Sequence, residues 1–247
     1  MSYTPQAPKA EFHLTYRCDL ACSTCNRACF LPAQTPDMTL DDAEEFCRQA
    51  KELDWHPRIM IIGGEPTLHH DFIRFCEIAR QFTGSPSRVE VWSNGYSARA
   101  TARLGIVQDE DLATVIVGTQ KNGPVEQPVK DIFLDPADYG ESREPCGTHA
   151  RYADPDCGIS VDHEGYTVCC MGGAIDGVLG LGVRTKRLAD LFDEDFAARQ
   201  TASLCQYCGQ HLGTDGKLET ATNYRGTWLS PTWAAAAKRI TEGRECS

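Results

Sequence analysis

Between Tyr16 and Phe30 the chain reads YRCDLACSTCNRACF, directly after an apolar-alternating segment, EFHLTY. Four thiols, Cys18, Cys22, Cys25 and Cys29, crowd into this one stretch. Such crowding calls for disulfides or for a metal. The chain holds 13 cysteines, an odd number, in 247 residues, whereas disulfide scaffolds belong to short secreted chains. Its opening, MSYTPQAPKA, lacks the apolar core of a signal peptide and reads as a loose tail. No run of about 18 apolar residues suggests a membrane span. A cytoplasmic location is therefore expected, and with it metal binding rather than cross-linking.

The formal net charge is −11, from 35 acidic and 24 basic residues, with no Lys/Arg cluster to offset it. Such a surface repels nucleic acid and anionic membranes, so neither is an expected partner.

The first half alternates strand and helix signals. EFHLTY places Phe12 and Leu14 on one face of a strand. MTLDDAEEFCRQAKEL opens with a capping-box pattern, Thr39 with Asp42, and carries apolar residues at helical spacing. RIMII is a continuous apolar run, as in a strand buried on both faces. HHDFIRFCEIARQF, RVEVWSNG, ARATARLGI and ATVIVGTQ continue the alternation, and VKDIFL is a candidate fifth strand. Cys47 and Cys76 fall on the apolar stripes of two of these helices and read as core thiols. The βα rhythm predicts an α/β fold, a parallel sheet or partial (β/α) barrel over residues 8–140, with working residues in loops after the strands. Over residues 141–247 the rhythm changes to a smaller module. GISVD and YTVCC read as a hairpin, RLADLFDEDFAARQ as one helix, and SPTWAAAAKRI as a helix capped by Ser230 and Pro231.

Cys18, Cys22 and Cys25 have the spacing C-x3-C-x2-C in a loop after the first strand. Thiolates suit zinc or iron–sulfur clusters. With Cys29 as a fourth ligand the loop would close a zinc site. With three ligands it would hold a [4Fe–4S] cluster and leave one iron open. The second strand runs into Gly63-Gly64-Glu65-Pro66, and the third into VWSNG, with Ser93 and Asn94. This combination resembles radical S-adenosylmethionine enzymes. The resemblance implies that the triplet binds a [4Fe–4S] cluster whose open iron is chelated by S-adenosylmethionine. Gly63, Gly64, Glu65 and Pro66 would hold the amino group of that cofactor: glycines permit close backbone approach, and a carboxylate complements an ammonium. Ser93 and Asn94 would lie beside the cofactor, and Thr119 and Gln120 near its ribose. Thr24 stands where the family usually carries an aromatic residue.

The C-terminal third contains GYTVCC, in which Gly165 and Cys170 match G-x4-C, and then Cys205-x2-Cys208. This resembles the auxiliary-cluster modules called SPASM and, in the shorter form that fits here, twitch. The resemblance implies a second [4Fe–4S] cluster on Cys170, Cys205, Cys208 and either Cys157 or Cys146. A zinc ribbon would need the same thiolates. Cys169, if in a strand, would point away from Cys170.

The resemblance as a whole implies an oxidoreductase. It would cleave S-adenosylmethionine to a 5′-deoxyadenosyl radical, abstract a substrate hydrogen, and oxidise a small sugar- or aminocyclitol-like alcohol. The second cluster would take up the electron, and flavodoxin or ferredoxin would serve as donor. The alternatives are a radical enzyme that modifies or epimerises a peptide, and a non-catalytic iron–sulfur or zinc protein. Epimerisation would need a thiol hydrogen donor, for which Cys169, Cys29 and Cys246 are candidates. His149, Arg151, Asp162 and His163 are candidate polar groups near the second cluster, although a solvated hairpin suits Asp162 and His163 better. His69 and His70 sit side by side before a helix, where neighbouring side chains are expected to diverge.

Overall fold

Parallel strands joined by helices build the frame, because each buried strand needs a crossover long enough to return to the same edge. The computed structural model describes residues 9–22, 25–31, 35–118, 125–128, 135–139, 158–209, 218–221 and 229–245. Strands β1 (Lys9–His13), β2 (Arg58–Ile62), β3 (Val89–Ser93) and β4 (Thr114–Val117) are parallel. A short separate ladder pairs β5 (Val125–Pro128) with β8 (Leu218–Ala221). β6 (Ile159–Asp162) joins β1 on its free side, also parallel, and β7 (Gly165–Thr167) returns antiparallel through His163 and Glu164. The resulting six-stranded sheet has the order β4-β3-β2-β1-β6-β7 and draws strands from both sides of residue 140. VKDIFL lies outside the described residues.

The two faces of this sheet differ. Ala10, Phe12, Ile59, Ile61, Val89 and Val91 form an apolar face. Helices α1 (Leu40–Glu52), α2 (Phe72–Thr83) and α3 (Ala98–Asp109) belong to the same core, with Ala43, Phe46, Ala50, Phe75 and Leu104 buried in it. The Phe46 ring stands edge-on to Phe12 at 5.2 Å, Tyr166 at 5.9 Å and Trp55 at 6.1 Å. Cys47 and Cys76 are buried in the same core, as their helical spacing predicts. Thr39 and Asp42 form the expected capping box on α1. The opposite face carries Lys9, Glu11 and His13 of β1, Glu90 and Trp92 of β3, and Ser160 and Asp162 of β6, by strand alternation.

Three local readings change. Strand β7 stops at Thr167, whose hydroxyl donates to the Cys169 carbonyl (2.8 Å), and the chain turns into α4 (Gly172–Leu179). That helix begins with two glycines, poor helix formers that obscure it in the sequence. RLADLFDEDFAARQ is a 3-10 turn (Leu188–Phe192) followed by α5 (Glu194–Cys205). Between them Asp193 is extended and accepts from the Phe196 amide as N-cap. A carboxylate at that position competes with continuous helix. Finally, Asp162 is buried rather than solvated: its carboxylate accepts from the Tyr16 hydroxyl (2.9 Å) and lies 3.2 Å from Arg184. Helix α6 (Pro231–Glu245) forms where the Ser230-Pro231 start predicts, and its Trp233 is fully buried. Among the described residues no helix is long and apolar enough to cross a membrane.

Gln200 of α5 replaces the ladder that β7 lacks beyond Thr167. Its carbonyl accepts from the Val168 amide (2.7 Å), while its amide donates to Tyr166 (3.2 Å) and Val183 (2.8 Å) carbonyls. Gln200→Ala is expected to lower stability by about 2–3 kcal/mol, at about 1 kcal/mol for each buried bond. Urea denaturation of the variant checks this.

Candidate metal centre

The cysteine loop leaves β1 at its C-terminal end and is held by backbone bonds to the loop after β2. The Gly64 amide donates to the Thr15 carbonyl (2.6 Å), and the Glu65 amide to the Arg17 carbonyl (2.9 Å). This approach explains the glycine pair. A Cβ on Gly63, where φ is 144°, would lie 2.3 Å from the Thr15 oxygen, and one on Gly64 2.2 Å from the Arg17 oxygen. The close contact these glycines permit is thus with the cysteine loop itself.

Glu65 is wholly buried. One of its carboxylate oxygens accepts from the amide (3.1 Å) and hydroxyl (2.6 Å) of Thr67. The Ser93 hydroxyl reaches both oxygens (2.9 and 3.0 Å), and the Asn94 amide reaches the second (2.8 Å). Pro66 opens a single buried 3-10 turn. Asn94 also extends its side-chain amide to Asp19 (2.7 Å) and to the Cys18 sulfur (3.7 Å). Glu65, Ser93 and Asn94 therefore fasten three loops to one another.

Those loops enclose a cavity of about 210 Å³. Cys18, Cys22 and Cys25 line it, together with Gly63, Gly64, Ser93 and Asn94, so most of the residues singled out in the sequence meet there. Thr119 and Gln120 lie outside the described residues, as does Thr24. Arg27, Trp92 and Gly118 also line the cavity, and spacing alone did not mark them.

The three thiols differ in electrostatics. Burial pushes Cys18 up to about 12 and Cys22 up to about 11. Cys25 is lowered to about 6, chiefly by a hydrogen bond from the Cys29 thiol, against the effect of burial. Cys29, the fourth thiol of the loop, is correspondingly raised and also points to the Arg27 carbonyl at 3.7 Å. Three thiols on one cavity wall, one of them readily ionised, fit a thiolate-bound iron–sulfur cluster, whose loading releases the remaining thiol protons. In the metal-free chain, Cys25 is expected to be alkylated first at neutral pH, because thiolate is the nucleophile. Its rate should fall as pH drops through about 6, and Cys29→Ala should move that midpoint upward. Mass spectrometry of iodoacetamide-treated protein across pH reads both.

The second thiol group is assembled by tertiary contacts. Cys170, Cys205 and Cys208 are buried. Cys205 ends α5, and the Cys208 amide donates back to the Cys205 carbonyl (3.1 Å). Trp233 of α6 donates its indole N–H to the Tyr207 carbonyl (2.9 Å), fixing this turn. Cys169 does not point away from Cys170. Beyond the end of β7 strand alternation no longer applies, and the two thiols are hydrogen-bonded, which raises Cys169, with burial adding to the effect and Cys205 also acting on it. Cys146, Cys157, His149, Arg151 and Cys246 lie outside the described residues.

His163 faces α1, its Nδ1 2.8 Å from Asp42. His69 and His70 do not diverge. Their rings stack with centroids 4.6 Å apart, because the helix starts only at Phe72 and both residues precede it. With Asp71 they place three possible ligand atoms within 4.8 Å of one another.

Sequence comparison finds no matching family model and no matching curated protein. Structural comparison finds the crystal structure of BtrN in complex with AdoMet and 2-DOIA. The identity is 14%, the alignment covers 92% of this chain and 99% of that one, and the TM-score is 0.53. BtrN is a radical S-adenosylmethionine enzyme. The chain shares the fold of BtrN. Selenomethionine BtrN in an open conformation also aligns, at 13% identity over 91% of this chain and 94% of that one, with a TM-score of 0.47. In this fold the cysteine loop and the Gly-Gly-Glu-Pro loop both lie at the C-terminal edge of the parallel strands, where open α/β sheets bind ligands.

Proposed function

We propose that the chain is a radical S-adenosylmethionine oxidoreductase that oxidises a small sugar- or aminocyclitol-like alcohol with the help of a second [4Fe–4S] cluster. The observation that carries this reading is the cavity lined by Cys18, Cys22 and Cys25 together with Gly63, Gly64 and Asn94. A fold neighbour crystallised with AdoMet and 2-DOIA supports a small-molecule substrate. In this reading the triplet holds the first cluster. Cys170, Cys205 and Cys208, with Cys146 or Cys157, hold the second in a twitch-like module over residues 141–247. With its cofactors bound, the centre would supply a radical that takes a hydrogen atom from the carbinol carbon, and the second cluster would take the remaining electron as the hydroxyl proton leaves.

The protein's own part is placement. Gly63 and Gly64 let the cysteine loop close against the loop after β2, which sets Cys18 beside the cavity, and Asn94 donates to the Cys18 sulfur, favouring its thiolate against the effect of burial. Trp92 adds an aromatic side chain to the lining of the cavity beside the triplet. Arg27 is buried and interacts electrostatically with both Cys25 and Cys170, one from each thiol group. A substrate beside Arg27 would thus lie between the two centres. An external reductant of the flavodoxin or ferredoxin class would deliver the first electron.

A second reading, epimerisation with peptide substrates included, draws on the buried protonated thiol of Cys169 as a hydrogen donor. Anaerobic reconstitution separates the centres: about eight irons are expected, falling to about four in Cys18→Ala/Cys22→Ala/Cys25→Ala. About four irons falling to none would remove the electron acceptor and sink the oxidation reading. With substrate deuterated at the reacting carbon, oxidation predicts one deuterium in 5′-deoxyadenosine and none returned. Solvent deuterium in the product, lost in Cys169→Ala, would establish epimerisation instead.

A further inference from the structure

A cation buried in a protein normally spends its donors on nearby acceptors. Among the described residues, Lys9, Arg184 and Arg27 are buried cations that can be compared on this point. Lys9 pairs with Glu90 at 3.3 Å. Arg184 lies between two carboxylates, Asp176 at 2.9 Å and Asp162 at 3.2 Å, and also donates to the Thr35 hydroxyl at 3.1 Å. Arg27 is less well matched. Its Nη2 meets Glu11, while Nε and Nη1 are buried without a partner. A guanidinium keeps its charge and its donors at any ordinary pH, so proton loss does not remove the shortfall.

The position of this cation is defined from two sides. Arg27 follows Cys25 by two residues and lines the cavity with the triplet, whereas Glu11 does not line it. The positive end of the pair is therefore the one at the triplet. Glu11 belongs to β1, in register with Ser160 of β6, and also accepts from the Gly158 amide (3.1 Å). The start of α4 covers that stretch of β6: a Cβ on Gly173 would lie 2.8 Å from Ser160 Oγ and 2.6 Å from the Tyr16 hydroxyl. Gly173 stands three residues past Cys170. The Arg27–Glu11 pair thus sits where the segment bearing the triplet and the segment bearing Cys170 come together. Burial alone would lower the Arg27 guanidinium, but Glu11, Cys170 and Cys25 outweigh it and hold it above its ordinary value.

A neutral thiol accepts hydrogen bonds weakly, whereas an acceptor that carries negative charge takes them well. Metal-bound sulfur is of the second kind, since a thiol binds metal as its thiolate. We propose that Arg27, held by Glu11, is a counter-charge shared by the two thiol groups and raises the reduction potential of the metal centre at each. The sign follows from charge: reduction adds an electron, and a nearby cation stabilises the product. This assignment deepens the oxidoreductase reading and rests on it for the existence of a second centre. Arg27 and Glu11 act through charge and position, and neither is a catalytic residue.

Redox titration of the anaerobically reconstituted full chain, followed by electron paramagnetic resonance, tests the assignment. The first centre is read alone in Cys205→Ala/Cys208→Ala, and the second alone in Cys18→Ala/Cys22→Ala/Cys25→Ala. In each background Glu11→Gln/Arg27→Gln removes the pair together, so that no buried charge is left unmatched. Both potentials are expected to fall, each by about tenfold in the reduction equilibrium, or about 59 mV for one electron. Arg27→Lys keeps the charge without the planar fork and should recover most of each shift. Glu11→Gln alone leaves the cation unmatched and should raise both potentials. Iron content is expected to equal that of the parent background throughout. A potential that stays in place at either centre, or Arg27→Lys behaving as the neutral pair, would overturn the assignment. Iron lost from the neutral pair and from Arg27→Lys alike would overturn it too, because the pair would then serve the fold. If the triplet variant holds no iron, the oxidation reading falls together with the sharing. If it holds about four irons whose potential ignores Arg27, the sharing falls alone.

Discussion

The carboxylate of Glu65 accepts hydrogen bonds from Thr67, Ser93 and Asn94 while lying fully out of contact with water. An ionised carboxylate is stable in such a place only if its lone pairs are matched, so the loops that supply the donors are committed to one arrangement. The cysteine loop joins them through the Gly64 and Glu65 amides, which donate to Thr15 and Arg17. Three loops at one edge of a parallel sheet are thereby fixed relative to each other before any metal arrives. The positions of Cys18, Asn94 and the glycine pair around the cavity follow from that fixation.

The two thiol groups are built by different means. The first is local: a short loop brings Cys18, Cys22 and Cys25 to one wall, and Cys29 lowers Cys25 through a thiol hydrogen bond. The second needs three elements. Gln200 draws the end of β7 against α5, Trp233 anchors the turn before Cys208, and the two glycines that open α4 let the helix start beside Thr167. The first group is partly buried and the second buried, and Arg27 lies within electrostatic reach of each. A buried cation within reach of both thiol groups favours their ionised forms.

The strands of the sheet present different side chains on their two faces. Phe12, Ile61 and Val91 face the helices, whereas Glu11, His13 and Ser160 face a polar interior. β1 announces this in its alternation, EFHLT, although β2 reads as a continuous apolar run, RIMII. A strand buried on both sides by hydrocarbon would not alternate. A single strand shows the period but not what lies opposite its polar side chains. Asp162 was misread for the same reason: in a hairpin turn it looks solvated, and only Tyr16 and Arg184 reveal that it is buried.

Short-range rules carried much of the fold. The capping box at Thr39, the helical placement of Cys47 and Cys76, the four βα strands and the hairpin of β6 and β7 all depend on neighbours within a few residues. So does the cysteine triplet, since its ligand spacing is a property of one loop. Where separate segments meet, local pattern was silent or misleading. It was silent on Gln200 and on the joining of β6 to β1, and it misled where an element stops or starts, at Cys169 beyond the end of β7 and at His69 and His70 ahead of α2. Strand alternation and helical periodicity describe which way a side chain leaves the backbone, and those directions follow from the sequence alone. Which partner it then finds depends on chain segments tens to more than a hundred residues away, and the tertiary structure alone decides that.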